Sequence, residues 1–320
     1  MPKLNMVQSI NLALKEEMEQ DDRIVVLGED IGKDGGVFRI TEGLLEKFGP
    51  ERIMDTPLAE SGIVGAAAGM AVYGLRPVAE IQFMGFIYPA IDQIFSHAAR
   101  VRSRSRGRFT CPMVVRTPYG AGIKAPELHS ESTEALFCHM PGIKVVVPST
   151  PYNAKGLLIS AIRDPDPVIY LESTRLYRLI KEEVPEGDYA LPIGKARIAQ
   201  EGKDLTVIAW GSMLHRALQS VEGFDAEVID LMTLSPFDEE AVYKSVRKTG
   251  RVVIVQEAPK TCGFGAELSA SIAEDVMLHL RAPVIRVTGY DTVMPLPKLE
   301  DYYTPTMERI RKALNEVMKY

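Results

Sequence analysis

The chain has 320 residues, 46% of them apolar and 25% charged, with a net charge of −6. This is average globular material, enough for about two domains of roughly 150 residues, and its acidic balance argues against nucleic acid or an acidic membrane as the main partner. Three scattered cysteines, Cys111, Cys138 and Cys262, and five dispersed histidines exclude a disulfide framework and a clustered nitrogen–sulfur metal site. Residues 15–22, KEEMEQDD, are acidic where a secretory signal or presequence would be basic or apolar. With no apolar run near ~20 residues, a cytoplasmic protein is expected.

In chain order, short β-branched runs alternate with helical patterns. Strands are predicted at Ile24–Leu27, Pro77–Gln82, Met113–Arg116, Lys144–Val147 and Pro167–Leu171, and helices at about 58–74, 87–103, 131–139 and 151–163. Continuous apolar strands separated by helices imply an α/β fold with a parallel sheet covered on both faces. The pattern lapses from about Leu179 to Ala199, and KEEVPEGDYALP at 181–192 marks an inter-domain linker expected over 181–195. A second α/β series follows, with strands at Asp204–Trp210, Ala226–Leu231, Arg251–Gln256 and Pro283–Val287 and a closing helix from Thr306. The expected domains are therefore 1–180 and 196–320.

The most informative segment is Asp55–Gly65, DTPLAESGIVG, which sets a lone carboxylate, Glu60, at the mouth of a helix without a charge from Gly62 to Gly74. A carboxyl desolvated by such a surface can hold or share a proton near neutrality. Taken locally, capping of the helix is the simpler role. Other motifs are weaker. Gly120-Ala-Gly122-Ile-Lys-Ala125 imitates a dinucleotide fingerprint, but Pro126 sits where the phosphate-binding helix should continue. Arginines at 100, 102, 104, 106 and 108 could track phosphates, yet no aromatics interleave, and pairing with neighbours at a helix end is the plainer account. His129 lies in a polar strand-to-helix loop that suits acid–base chemistry, although Ser130 or Ser132 there would also serve as caps. Asp164 and Asp166, in RDPDP, suit a turn or a hard cation. The four asparagines, at 5, 11, 153 and 315, give no Gly-Asp-Gly…Asn pattern of the kind that holds magnesium and a diphosphate.

These blocks together resemble the beta subunit of the thiamine diphosphate-dependent 2-oxo acid dehydrogenases, over about residues 5–318. They are GED at 28–30, GGVFR at 35–39, DTPLAESGI at 55–63, EIQF at 80–83, AIDQI at 90–94, PELHSES at 126–132, PGIKVVVPS at 141–149, AKGLL at 154–158, GKA at 194–196, EVIDLMTLSP at 227–236 and GFGAE at 263–267. The resemblance implies an N-terminal pyrimidine-binding thiamine fold and a C-terminal transketolase-type domain. It also implies an alpha subunit that holds magnesium and the diphosphate, which would account for the missing pattern.

Carried over by resemblance, Glu60 would hydrogen-bond the aminopyrimidine ring nitrogen and promote its imino tautomer. Phe86 would lie against that ring, with Leu58 and Gln82 in the same pocket. His129 would reach the reacting centre, and Glu29 would join Glu60 in an acidic chain between two active sites. Ala161, Asp164 and Asp166 fall where relatives hold a structural potassium ion, although relatives often have asparagine at the third position. Glu131 replaces the glutamine of an HSQS loop. The implied assembly is an alpha2beta2 heterotetramer on a lipoyl acyltransferase core, a lipoyl-acylating oxidoreductase of class EC 1.2.4. AEIQF with FIYPAIDQI leans toward branched-chain substrates, whereas PELHSES leans toward pyruvate. A self-contained transketolase or deoxyxylulose phosphate synthase, which would need its own diphosphate domain, and a non-catalytic partner subunit are the other readings.

Overall fold

The computed structural model describes all residues, Met1–Tyr320. Its strands, in chain order, are β1 (Lys3–Leu4), β2 (Ile24–Gly28), β3 (Ile53–Asp55), β4 (Arg76–Glu80), β5 (Val114–Tyr119), β6 (Lys144–Val146), β7 (Val168–Ser173), β8 (Glu182–Glu183), β9 (Arg197–Gln200), β10 (Leu205–Ala209), β11 (Ala226–Asp230), β12 (Thr233–Ser235), β13 (Val252–Val255) and β14 (Ile285–Val287). Seven form one sheet in the order β12-β6-β7-β5-β4-β2-β3, and five form another in the order β14-β13-β10-β11-β9. Every neighbouring pair is parallel except β12 on β6 and β9 on β11. The α/β class and the parallel sheets expected from the sequence are present. The buried strands carry apolar runs because helices cover both faces.

The first helix, Met6–Gln20, was not anticipated. A capping box between Asn5 and Gln8 starts it, and Met6, Ile10, Ala13, Leu14 and Met18 form its buried stripe. It packs against the helix Pro151–Arg163, which Thr150 caps. The helix expected over 87–103 is instead a broken path. A 3₁₀ stretch, Met84–Ala90, contains Pro89, and a π-type turn, Gln93–His97, precedes the short helix Val101–Arg104. A proline inside the run removes a donor and crowds the preceding turn.

The two series of elements are not separate bodies. Strand β12 comes from the second series but pairs with β6 of the first sheet, Thr233 opposite Val146. One apolar cluster runs from Leu27 through Val147 and Trp210 to Val276. Polar contacts also cross, with Ser149 Oγ donating to Asp230 at 2.7 Å and the Trp210 indole donating to Glu134 at 3.3 Å. Segment 181–195 is packed in place, since β8 pairs with β1 and Leu191 and Ile193 lie against the core. No helix is long and apolar enough to cross a membrane.

Candidate active site

Four adjacent strands, β5-β4-β2-β3, deliver the candidate residues from their carboxyl ends, where ligands of open α/β sheets bind. Glu29 follows β2, Leu58 and Glu60 follow β3, Gln82 and Phe86 follow β4, and the loop bearing His129 follows β5.

Glu60 opens the helix Glu60–Tyr73 as its first residue. The N-cap is Ala59, which contributes no side-chain hydrogen bond, so the capping role suggested by the local sequence is not what Glu60 performs. The turn before it is fixed instead by Asp55, whose carboxylate accepts from the Gly32 and Lys33 N–H groups at 2.6 and 3.1 Å. Glu60 is half-buried, and Leu58 beside it is 79% exposed. The buried Glu29 carboxyl is held above its ordinary range. Desolvation is the main cause, and the negative charges of Glu60 and Asp30 add to it. Gln82 donates to the neighbouring Asp30 carboxylate at 3.3 Å.

Phe86 is half-buried in an aromatic nest. Its ring lies 5.5 Å from that of Phe83 and 5.0 Å from that of His129, while Phe83 lies 4.3 Å from His129. The His129 Nδ1 lies 2.9 Å from the Glu127 carbonyl, which can only accept, so Nδ1 carries the proton and Nε2 is the ring's free acceptor when the imidazole is neutral. Glu131, which departs from HSQS, is pushed above its ordinary range by burial, and Tyr88 donates to it at 3.4 Å.

Phe83 was missed in the sequence, although its place one residue after Gln82 at a strand end was a usable signal. Three buried charges behind the site were missed as well. The Arg116 guanidinium binds Glu80 and, at 2.7 Å through two nitrogens, Glu172, which also accepts from the Tyr177 hydroxyl at 2.6 Å. Read from sequence, these are lone charges inside apolar strands, and only the register of β4, β5 and β7 brings them together.

The base of loop 120–130 is held within the first domain. Thr174 donates to the Gly120 carbonyl at 2.8 Å, and Gly120 N–H donates to the Glu131 carbonyl at 2.8 Å. Lys124 and Leu128 have φ of +53° and +69°, which costs about 1–3 kcal/mol each unless the surroundings hold them. Leu128 packs directly on Gly85, where a Cβ would strike its carbonyl oxygen.

The three residues assigned to potassium are neighbours, but the two carboxylates face cations of the chain itself and the Ala161 carbonyl faces a backbone N–H. Asp164 binds the Lys144 ammonium at 2.6 Å, and Asp166 binds Arg102 at 2.7 Å. The Ala161 carbonyl accepts from the Asp164 N–H at 3.3 Å. Arg76 donates to the Ile162 carbonyl at 2.8 Å and to the Asp164 carbonyl at 3.4 Å. A potassium ion using the carboxylates would have to displace Lys144 or Arg102. No group of three His, Cys, Asp or Glu side chains is arranged for a metal elsewhere. Of the arginine series, Arg102 makes that ion pair, Arg100 donates to the Phe95 carbonyl at 3.0 Å, and Arg108 stacks over Phe109.

Comparison with known proteins joins these features. Residues 2–180 match the family model "Transketolase, pyrimidine binding domain", and residues 194–310 match "Transketolase, C-terminal domain". The chain is 51% identical to the pyruvate dehydrogenase E1 component subunit beta of Acholeplasma laidlawii, covering 99% of this chain and 98% of that protein. It belongs to the 2-oxo acid dehydrogenase E1 beta-subunit family. Two proteins of Bacillus subtilis (strain 168) show that similarity extends across substrate types within it. One is a pyruvate dehydrogenase E1 component subunit beta, 48% identical over 100% of both chains, and the other a 2-oxoisovalerate dehydrogenase subunit beta, 49% identical over 99% of both. A split-gene transketolase, solved as an inactive beta4 tetramer, shares the fold with a TM-score of 0.80 over 99% of both chains at 24% identity. The residues present are of a kind that would suit an aminopyrimidine, since Glu60 offers a carboxylate free of helix capping and exposed Leu58 and half-buried Phe86 offer apolar surface.

Proposed function

We propose that this chain, with an alpha subunit, forms a thiamine diphosphate-dependent 2-oxo acid dehydrogenase that decarboxylates its substrate and acylates the lipoyl group of an acyltransferase core. The observation that carries this reading is Glu60, uncommitted at the head of a charge-free helix and close enough to raise the Glu29 carboxyl. Bound thiamine diphosphate would supply the electron sink for loss of carbon dioxide. Glu60 would hold the aminopyrimidine by a hydrogen bond at a ring nitrogen. Leu58 and Phe86 would cover the ring and exclude water, with Gln82 fixing the Asp30 turn below. His129 would present Nε2 to the reacting centre as acceptor or, once protonated, as donor. Glu29, elevated next to Glu60, would take up or release a proton in step with it; an unchanged proton-transfer rate in Glu29→Gln would count against that role.

The alpha subunit is assigned magnesium and the diphosphate, within an alpha2beta2 assembly in the cytoplasm. Potassium at 161–166 is retained only as a ligand that must compete with Lys144 and Arg102, and no step depends on it. Branched-chain 2-oxo acids are the favoured substrates on the AEIQF and FIYPAIDQI blocks, with pyruvate the alternative. A few methylenes separate them, worth about 1–3 kcal/mol each in an apolar pocket.

The test is dye reduction dependent on a 2-oxo acid, run with this chain, its alpha subunit, thiamine diphosphate and magnesium, and with each subunit alone. Activity is expected only in the mixture, and the ratio of kcat/KM for 3-methyl-2-oxobutanoate and pyruvate assigns the substrate. An assembled, cofactor-binding complex that turns over neither acid would overturn the reading.

A further inference from the structure

One carboxylate of the second domain gathers the loop that carries His129. Glu300, only 2% exposed, accepts from the Gly122 N–H at 2.9 Å on one oxygen. Its other oxygen accepts from the Lys124 N–H at 3.1 Å and the Ser130 hydroxyl at 3.4 Å. Neighbouring charges reinforce the bracket, with Lys124 Nζ 2.9 Å from Asp301 and Arg175 3.5 Å from Asp301 and 3.8 Å from Glu300. A second buried carboxylate, Glu257, accepts from the Ala121 N–H and from the Ser212 hydroxyl at 2.9 Å. The loop has little of its own to hold it, with left-handed backbone at Gly120, Lys124 and Leu128. Its internal bonds near the histidine are both local, the 2.9 Å bond from His129 Nδ1 to the Glu127 carbonyl and a 3.4 Å contact from the His129 N–H to the Pro126 carbonyl.

We propose that Glu300 is a positioning residue that fixes both limbs of loop 120–130 and so sets the His129 ring against Phe83 and Phe86. Charge-assisted bonds from two peptide N–H groups and a hydroxyl are stronger and shorter-ranged in their demands than neutral ones. Their convergence on one side chain makes the loop's shape depend on a residue 171 positions beyond the histidine, in a different sheet's territory. Gly85 closes the bracket from the opposite side by meeting Leu128. The part played by His129 in the reaction rests on the function proposed above, whereas the anchoring itself does not.

The test uses the full chain, alone and assembled with its alpha subunit, as wild type, Glu300→Ala, Glu300→Gln, Ser130→Ala, His129→Ala and the Glu300→Ala/His129→Ala pair. Trypsin cleavage after exposed Lys124 reads the loop directly. It should be at least about tenfold faster in Glu300→Ala than in wild type, with cleavage at other lysines and arginines unchanged. Glu300→Gln, which keeps an acceptor oxygen, should fall between the two. In the assembled enzyme, kcat should drop by about 10- to 100-fold with little change in cofactor affinity, and the double variant should be no slower than His129→Ala alone. Unchanged Lys124 cleavage, a general rise in cleavage at all sites, or losses that multiply in the double variant would overturn the proposal. If Glu300→Ala does not fold, Glu300→Gln and Ser130→Ala must still raise Lys124 cleavage, and failure of both overturns it. If the wild-type mixture is inactive, the proposed function fails while the cleavage result still decides the anchor.

Discussion

Helix Glu60–Tyr73 and strand β5 meet the same end of the first sheet and treat their surroundings in opposite ways. The helix leaves Ser61, Gly62, Ala66, Gly69, Val72 and Tyr73 exposed, with Tyr73 at 90%, and its leading carboxylate caps nothing. Strand β5 is buried throughout, and its one charge, Arg116, is answered by two carboxylates inside the fold. One element is complete within the chain, whereas the other offers a polar head and an apolar flank to something outside it. The difference separates what stabilises this subunit from what it does, and substitutions should respect that separation.

The widest effect is expected at the incomplete element. Glu60→Gln should cut turnover of the assembled enzyme by about 100-fold or more, the usual yield of a positioned acid–base group. Its thermal midpoint in calorimetry should stay near wild type, because no helix cap is lost. A large fall in midpoint would erase the contrast. Arg116→Met probes the complete element from the other side. Leaving Glu80 and Glu172 buried without their cation should cost about 3–5 kcal/mol in urea unfolding, before any cofactor is added.

Glu134 gives the contrast a pH axis. It is fully buried, and desolvation pushes its carboxyl up to about 7, aided by the negative charge of Glu257. The folded state therefore holds this proton after the unfolded chain has released it. The stabilisation is present below the ordinary carboxylate range and is lost as pH rises toward 7. Glu134→Gln should be more stable relative to wild type at pH 8 than at pH 5, by on the order of 2 kcal/mol, as read from paired denaturation curves. The smallest effect returns to the helix. Outside the helix's own backbone, no atom lies within 4 Å of where a Cβ on Gly69 would sit, so Gly69→Ala should stabilise the isolated chain by about 0.5–1 kcal/mol. A loss instead would mean that this face is not free.

Local chemistry was legible in the sequence. The DTPLAESGI run located the head of the Glu60 helix, because a strand, a turn and a charge-free helix follow each other without interruption. Strands β2, β4, β5, β6, β7, β10, β11, β13 and β14 were legible for the same reason, since buried parallel strands carry continuous apolar runs, whereas the short strands β1, β3, β8, β9 and β12 carry no such run. The helix Met6–Gln20 was passed over because its stripe is diluted by KEEMEQ, even though Asn5 and Gln8 spell its start. The path from 84 to 104 could not be read by periodicity, because three helical pitches share it. Glu29 was legible as a residue, but its raised carboxyl was not, since that depends first on its burial in the fold and then on how near Glu60 and Asp30 are brought. Least visible were Glu257 and Glu300, whose backbone N–H partners in loop 120–130 lie more than a hundred residues upstream and leave no mark on composition or spacing.

Strand β12 has a consequence for synthesis. The first sheet is finished only when Thr233–Ser235 arrives beside β6, long after Val146 has left the ribosome. At ordinary translation rates that interval is on the order of ten seconds. Meanwhile β6 presents unpaired N–H and carbonyl groups on an apolar strand, the kind of edge that recruits strands from other chains. Nascent chains stalled before Met232 are therefore the species most in need of a chaperone, and an N-terminal half expressed alone would keep that sticky edge permanently.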